Sequence, residues 1–156
     1  MEFSFTYEEF TEKEQLSEAD KSLIEQAEIA RNLAYAPYSK FYVGAAVLLD
    51  NNRIILGNNQ ENAAYPDGLC AERVAIFSAM ANFPTLKVLK IAIVAGKDNF
   101  NENATAPCGS CRQAILEYEV KQNTPIEILF MGTTGKVIKI FSIKDLLPLA
   151  FSSAFL

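Results

Sequence analysis

Each of the three cysteines falls in the opening turn of a segment patterned as a helix, and the chain contains no histidine. In Pro107-Cys108-Gly109-Ser110-Cys111 two thiols stand three residues apart, a spacing that turns both toward one point, where the unpaired N–H groups of a helix start favour thiolate. Cys70 opens the other such segment. Three thiols cannot all pair within one chain, so this spacing points to metal binding or redox chemistry and away from a disulfide framework.

The rest of the chain supplies alternating helices and strands. Ser17 starts a capping-box-like turn with Asp20 at its third position, and Leu23, Ala27, Ala30 and Ala34 recur at helical spacing, so a helix is expected to end before Pro37. Phe41–Leu49 and Arg53–Gly57, joined by Asp50-Asn51-Asn52, read as a β-hairpin. Cys70–Ala81 reads as a helix, Val88–Ala95 as a buried strand, and Cys108–Val120 as a second cysteine-headed helix. Ile126–Met131 and Val137–Phe141 are β-type runs, and Ile143–Leu147 makes a short last helix before Pro148. The pattern predicts an α/β domain, a three-layer α/β/α sandwich with a central mixed five-stranded sheet. Residues 17–156 are expected to form one catalytic domain and residues 1–16 an arm of uncertain structure, which suits a 156-residue chain.

Composition narrows the function. Fourteen basic against nineteen acidic residues give a net charge of −5, with no Lys or Arg run to track phosphates, so a nucleic-acid partner is not expected. No stretch approaches the roughly 18 apolar residues of a membrane span, which points to a cytoplasmic protein with no membrane partner. Without histidine there is no Ser-His or Cys-His nucleophile pair, leaving carboxylates and thiols to do the chemistry.

Two helix starts, each headed by cysteine, can aim their positive ends at the thiolate ligands of one cation, and tetrahedral Zn²⁺ is its natural identity. A closed structural site needs four protein ligands; with three cysteines and no histidine, the fourth position is expected to hold water. Three thiolates leave the centre with one excess negative charge, which the Arg73 guanidinium is placed to offset by hydrogen-bonding the sulfurs. Glu72, two residues after Cys70, reaches the same point only if Cys70 sits at the helix terminus. Plainer readings stand beside this one: a buried cysteine, a redox pair of Cys108 and Cys111, a first-turn Glu that merely complements the helix dipole.

Taken together, Tyr35-Ala36-Pro37-Tyr38-Ser39, Phe41-Tyr42-Val43-Gly44-Ala45-Ala46, Asn59-Gln60-Glu61-Asn62-Ala63-Ala64-Tyr65-Pro66, Cys70-Ala71-Glu72-Arg73, Pro107-Cys108-Gly109-Ser110-Cys111-Arg112-Gln113 and Leu146-Leu147-Pro148 resemble the zinc-dependent cytidine deaminases, in their small form with three cysteine ligands. The resemblance implies one Zn²⁺ per chain on Cys70, Cys108 and Cys111, and Glu72 as the general acid/base that moves protons while cytidine or deoxycytidine is hydrolysed to its uracil counterpart and ammonia. It further implies that Asn59 and Glu61 bind the sugar, that Phe41 stacks near the base, that Ala71 belongs to the substrate-binding set, and that Tyr65 reaches a neighbouring subunit's ligand. The small form is homotetrameric, so Phe151, in the apolar segment Leu146–Leu156, is expected to enter a neighbouring pocket. With no Gly-rich phosphate loop near these motifs, a free nucleoside is favoured over a nucleotide. Competing readings are a deaminase of a cytosine-containing antibiotic such as blasticidin S, and a zinc module without turnover, closed by a fourth protein ligand.

Overall fold

The computed structural model describes residues 2–97 and 100–156. Its strands are β1 (Tyr7–Phe10), β2 (Tyr42–Leu49), β3 (Ile54–Asn58), β4 (Val88–Gly96), β5 (Glu127–Met131) and β6 (Val137–Ile140), and its helices are α1 (Glu18–Arg31), α2 (Ala71–Asn82) and α3 (Gly109–Gln122). They build one mixed sheet in the order β1-β6-β5-β4-β2-β3, in which β4 and β5 are parallel and every other pairing is antiparallel.

The sheet has six strands where five were expected, because the N-terminal arm adds β1. Tyr7 pairs with Ile140 and Phe10 with Val137, so β1 extends the sheet beyond β6. Its residues are exposed except for half-buried Phe10, so no buried face imposes the period-2 alternation by which strands are recognised in a sequence.

Side-chain alternation along the central strands splits the core in two. Ile91 and Ile93 of β4, Ala45 and Val47 of β2, and Ile128 and Phe130 of β5 face the layer formed by α2 and α3. Ala46, Ala92, Val94, Leu129 and Met131 face Leu23, Ile24 and Ala27 of α1. The α1 side is built from small residues because the helix lies close: a Cβ on Gly44 would overlap the Ala27 carbonyl oxygen and the Arg31 amide nitrogen.

Ser17 caps α1, accepting a hydrogen bond from the Asp20 amide at 3.2 Å. The helix ends at Arg31, short of the expected limit before Pro37, because the chain leaves it to pair elsewhere: the Tyr35 amide donates to the Asn59 carbonyl at 3.0 Å, and the Glu61 amide to the Tyr35 carbonyl at 2.9 Å. Asp20 does more than head a helix. It lies buried between Lys90, at 2.7 Å, and Lys139, at 3.0 Å, and both lysines also pair with Glu127, tying α1 to three strands. The expected last helix at Ile143–Leu147 is a 3₁₀ turn, Ile143–Leu146, fastened to α3 by Glu119, which accepts from the Ile143 amide at 3.1 Å and the Ser142 hydroxyl at 2.6 Å, and a further 3₁₀ turn follows at Ser153–Phe155.

Candidate metal centre and substrate pocket

Helices α2 and α3 both begin at one end of the β4–β5 parallel pair, where a cavity of about 670 Å³ opens against Phe41, Val43, Ile93 and Ala95. Cys70 is the N-cap of α2 and Cys108 the N-cap of α3; both have extended backbones and neither uses its side chain as a cap. Cys111, in the first turn of α3, is fully buried, Cys70 is half-buried and Cys108 exposed.

The three sulfurs converge. Cys70 Sγ lies 3.9 Å from Cys108 Sγ, Cys108 Sγ lies 3.5 Å from Cys111 Sγ, and all three fall within 4.8 Å of one another. Zn–S bonds of about 2.3 Å in a tetrahedron set sulfurs roughly 3.8 Å apart, so the donor set fits zinc, whereas a disulfide would require about 2.05 Å. Among the described residues no carboxylate joins the sulfurs as a fourth ligand, as a closed zinc module would need.

Electrostatics at this point favour bound thiolate. The Cys70 thiol is drawn down to about 5, foremost by its hydrogen bond from Cys111, with Arg73 and Cys108 adding to the effect and burial opposing it. That same bond, together with burial and the Glu72 charge, pushes the Cys111 thiol up, so before metal binds Cys70 is the sulfur of the pair favoured as thiolate. Arg73 Nη2 lies 3.7 Å from Cys70 Sγ, and two helix N-termini add their positive ends.

Glu72, in the first turn of α2, is 5% exposed and lines the cavity beside Cys70 and Cys108. Burial foremost, then the neighbouring Cys70 charge, pushes its carboxyl above the usual range. Placing Cys70 at the helix terminus is what lets two residues so close in sequence face one point.

The opposite wall holds the remaining expected residues. Asn59 spans the entrance to β2, its Oδ1 accepting from the Val43 amide at 2.8 Å and its Nδ2 donating to the Phe41 carbonyl at 2.9 Å. Glu61 accepts from the Tyr38 amide at 2.9 Å, the Ser39 amide at 3.2 Å and the Ser39 hydroxyl; led by that hydroxyl, these bonds hold its carboxyl below the ordinary range. Tyr65 stands at the rim, 75% exposed, with its ring 6.0 Å from that of Tyr38.

Cys70, Cys108, Glu72, Arg73, Asn59, Glu61, Phe41 and Tyr65 thus line one cavity, with Cys111 behind the other two thiols. Ala71, expected at the substrate, is instead fully buried in the core and does not line the cavity, because its position in the first turn of α2 turns it toward the sheet. Phe151 lies outside this chain's cavity, stacked on Phe155 at 5.8 Å. Sequence reasoning missed Ser39 as the partner of Glu61, along with Ile93, Ala95 and Thr105 in the lining; Ser39 stood inside a quoted motif, but nothing local marks its bond to a residue 22 positions away.

Residues 17–124 match the family model described as the cytidine and deoxycytidylate deaminase zinc-binding region. The chain is 38% identical over 131 residues to a cytidine deaminase of Halalkalibacterium halodurans, covering 84% of this chain and 92% of that one. It is 39% identical over 133 residues to a cytidine deaminase of Sporosarcina psychrophila, with 85% and 90% covered. In three dimensions it is similar to the crystal structure of cytidine deaminase from Burkholderia pseudomallei, with TM-score 0.73, 38% identity, and 87% of this chain and 100% of the other covered. It is also similar to the Mycobacterium tuberculosis cytidine deaminase structure, with TM-score 0.67, 32% identity, and 86% and 98% covered.

Proposed function

The chain belongs to the cytidine and deoxycytidylate deaminases, zinc enzymes of C–N bond hydrolysis, and on that premise we propose that Cys70, Cys108 and Cys111 hold the metal, Glu72 moves the protons, and the opposite wall grips the sugar of a free nucleoside. The observation that carries this reading is the convergence of three sulfurs and one buried carboxyl in a cavity whose far side ends in Asn59 and Glu61.

When bound, Zn²⁺ supplies a Lewis acid that makes water nucleophilic near neutral pH. Water and cytidine give uridine and ammonia: a C4–O bond forms, the bond from C4 to the exocyclic nitrogen breaks, and that nitrogen leaves with an added proton. Glu72 takes a proton from the attacking water and gives it to ring N3, then takes the proton of the new C4 hydroxyl and delivers it to the departing amine, leaving a C4 carbonyl. Burial suits it to both tasks, since it pushes the carboxyl above its usual range and so makes the protonated form easier to reach.

The free lone pairs of Glu61 and Asn59 accept from sugar hydroxyls, and Phe41 and Val43 form the apolar wall against the base. Arg73 is the one cation lining the cavity among the described residues, and it is engaged with Cys70; the exposed Glu61 carboxylate repels a phosphate. Cytidine and deoxycytidine are therefore preferred to their nucleotides.

Residues 17–156 act as one catalytic domain, and four such chains form a tetramer. Support for assembly comes from exposed Leu149, Phe151, Phe155 and Leu156 at the C-terminal end, where Phe151 reaches a neighbouring site, and from Tyr65 at the rim. No helix among the described residues is long and apolar enough to cross a membrane, and a site made of three free thiols suits the reducing cytoplasm.

The test is to incubate zinc-loaded protein with cytidine and with cytidine monophosphate, following ultraviolet absorbance and ammonia release. Turnover of cytidine and little of the nucleotide is expected, with one zinc per chain. Zinc-loaded protein inert toward cytidine overturns the reading.

A further inference from the structure

Of the three thiols Cys108 is the most exposed, so packing does little to place it. A loop delivers it: residues 100–107 form neither helix nor strand, and Cys108 itself caps α3. The far end of this loop is anchored by Asn101, whose Nδ2 donates to the Ala95 carbonyl at 3.0 Å and whose own carbonyl accepts from the Thr133 amide at 2.8 Å. The near end rests on a different device. Pro107 has no N–H to offer, and its carbonyl accepts from Arg112 Nε at 2.8 Å.

The same guanidinium donates through Nη1 to the Leu146 carbonyl at 2.8 Å. Leu146 closes the 3₁₀ turn that Glu119 fastens to α3, so the second acceptor sits on an immobile base. We infer that Arg112 is a positioning residue for the metal centre: by clamping the Pro107 carbonyl to the Leu146 carbonyl, it fixes the loop that presents the Cys108 sulfur. Two carbonyls in the plane of one guanidinium require a rigid fork of donors, which the single ammonium of lysine does not reproduce. Gln113, next in sequence, also ties α3 to the C-terminal segment, through the Phe151 carbonyl at 3.0 Å, but makes no bond to the loop before Cys108. It is the matched control.

This inference rests on the three thiols being the zinc ligands. Zinc transfer to a chromogenic chelator, followed at 25 °C in wild type, Arg112→Ala, Arg112→Lys and Gln113→Ala, tests it. Groups that orient metal ligands from behind are worth about 10–100-fold in metal affinity, so release from both Arg112 variants is expected to quicken by at least about 10-fold, with Gln113→Ala close to wild type. The gap in melting temperature between zinc-loaded and metal-free protein should also narrow in the Arg112 variants, whereas a purely structural loss would lower both melting temperatures together. If Arg112→Ala fails to fold, Arg112→Lys carries the test. Wild-type release rates in a folded Arg112 variant, full rescue by lysine, or equal acceleration by Gln113→Ala would each overturn the clamp and leave the deaminase reading intact. Wild-type protein that takes up no zinc would overturn the metal-site reading and this inference with it.

Discussion

The Ser39 hydroxyl donates a hydrogen bond to Glu61 and accepts one from the Phe41 amide at 3.0 Å, so one side chain joins the Glu61 end of the pocket to its Phe41 wall. The Glu61 carboxylate is thereby fixed before any ligand arrives, which limits the ordering cost of binding.

Glu61→Ala is expected to act mainly on binding. Loss of its hydrogen bonds to the sugar should raise KM for cytidine by roughly 10-fold or more while kcat changes much less. Steady-state kinetics check this; an equal fall in kcat with unchanged KM would place Glu61 elsewhere in the reaction.

Glu72→Gln keeps the size and burial of the side chain and removes its ability to carry protons. Zinc content and melting temperature should stay near wild type while kcat falls by at least about 10²-fold. Near-normal turnover would mean that another group moves the protons.

Gly57 and Gly109 make a matched pair. A Cβ on Gly57 would stand 2.5 Å from both the Ala71 carbonyl oxygen and the Ala75 amide nitrogen, forcing away the first turn of α2, which carries Cys70 and Glu72. Gly57→Ala should therefore cost about 1–3 kcal/mol of stability and lower both zinc retention and kcat. At Gly109, in the first turn of α3, nothing lies within 4 Å of a Cβ, so Gly109→Ala should be neutral or slightly stabilising. Thermal melts and zinc content of the two variants, compared directly, decide the point.

Asp20 links stability to pH. Burial raises its carboxyl, but Lys90 and Lys139 outweigh burial and hold it below its ordinary value. A carboxyl depressed in the folded state contributes stability that is present above its unfolded value of about 3.9 and is lost as pH falls through the folded value. Asp20→Asn should then destabilise the protein near pH 7, because it leaves two lysines without their buried partner, and the gap to wild type should close as pH drops below about 4. Denaturant titrations across that range test it; a gap independent of pH would mean that shape rather than charge holds the network.

The helix starts at Cys70 and Cys108 were legible because they combine a ligand type with local spacing, and both cysteines are indeed N-caps. The end of α1 was not: Ala34 continues the helical period, yet Tyr35 is claimed by strand-like pairing with Asn59 and Glu61 across the fold. The Asp20 network was equally hidden, since its lysines lie 70 and 119 residues away and look in sequence like ordinary surface charges. Local pattern thus pointed to residues that the fold brings together at one cavity, while the contacts that hold them in place are set by tertiary structure.

The added strand β1 changes what neighbouring molecules can touch. Without it, Val137–Ile140 would end the sheet as an unpaired ladder of backbone donors and acceptors, a template for strand-by-strand addition. The chain instead ends the sheet on this side with Tyr7–Phe10, whose middle residues, Glu8 and Glu9, are acidic. Charged side chains on a border strand disfavour pairing with the border of a second copy, so the arm exchanges the mostly apolar run Val137–Ile140 for an acidic border.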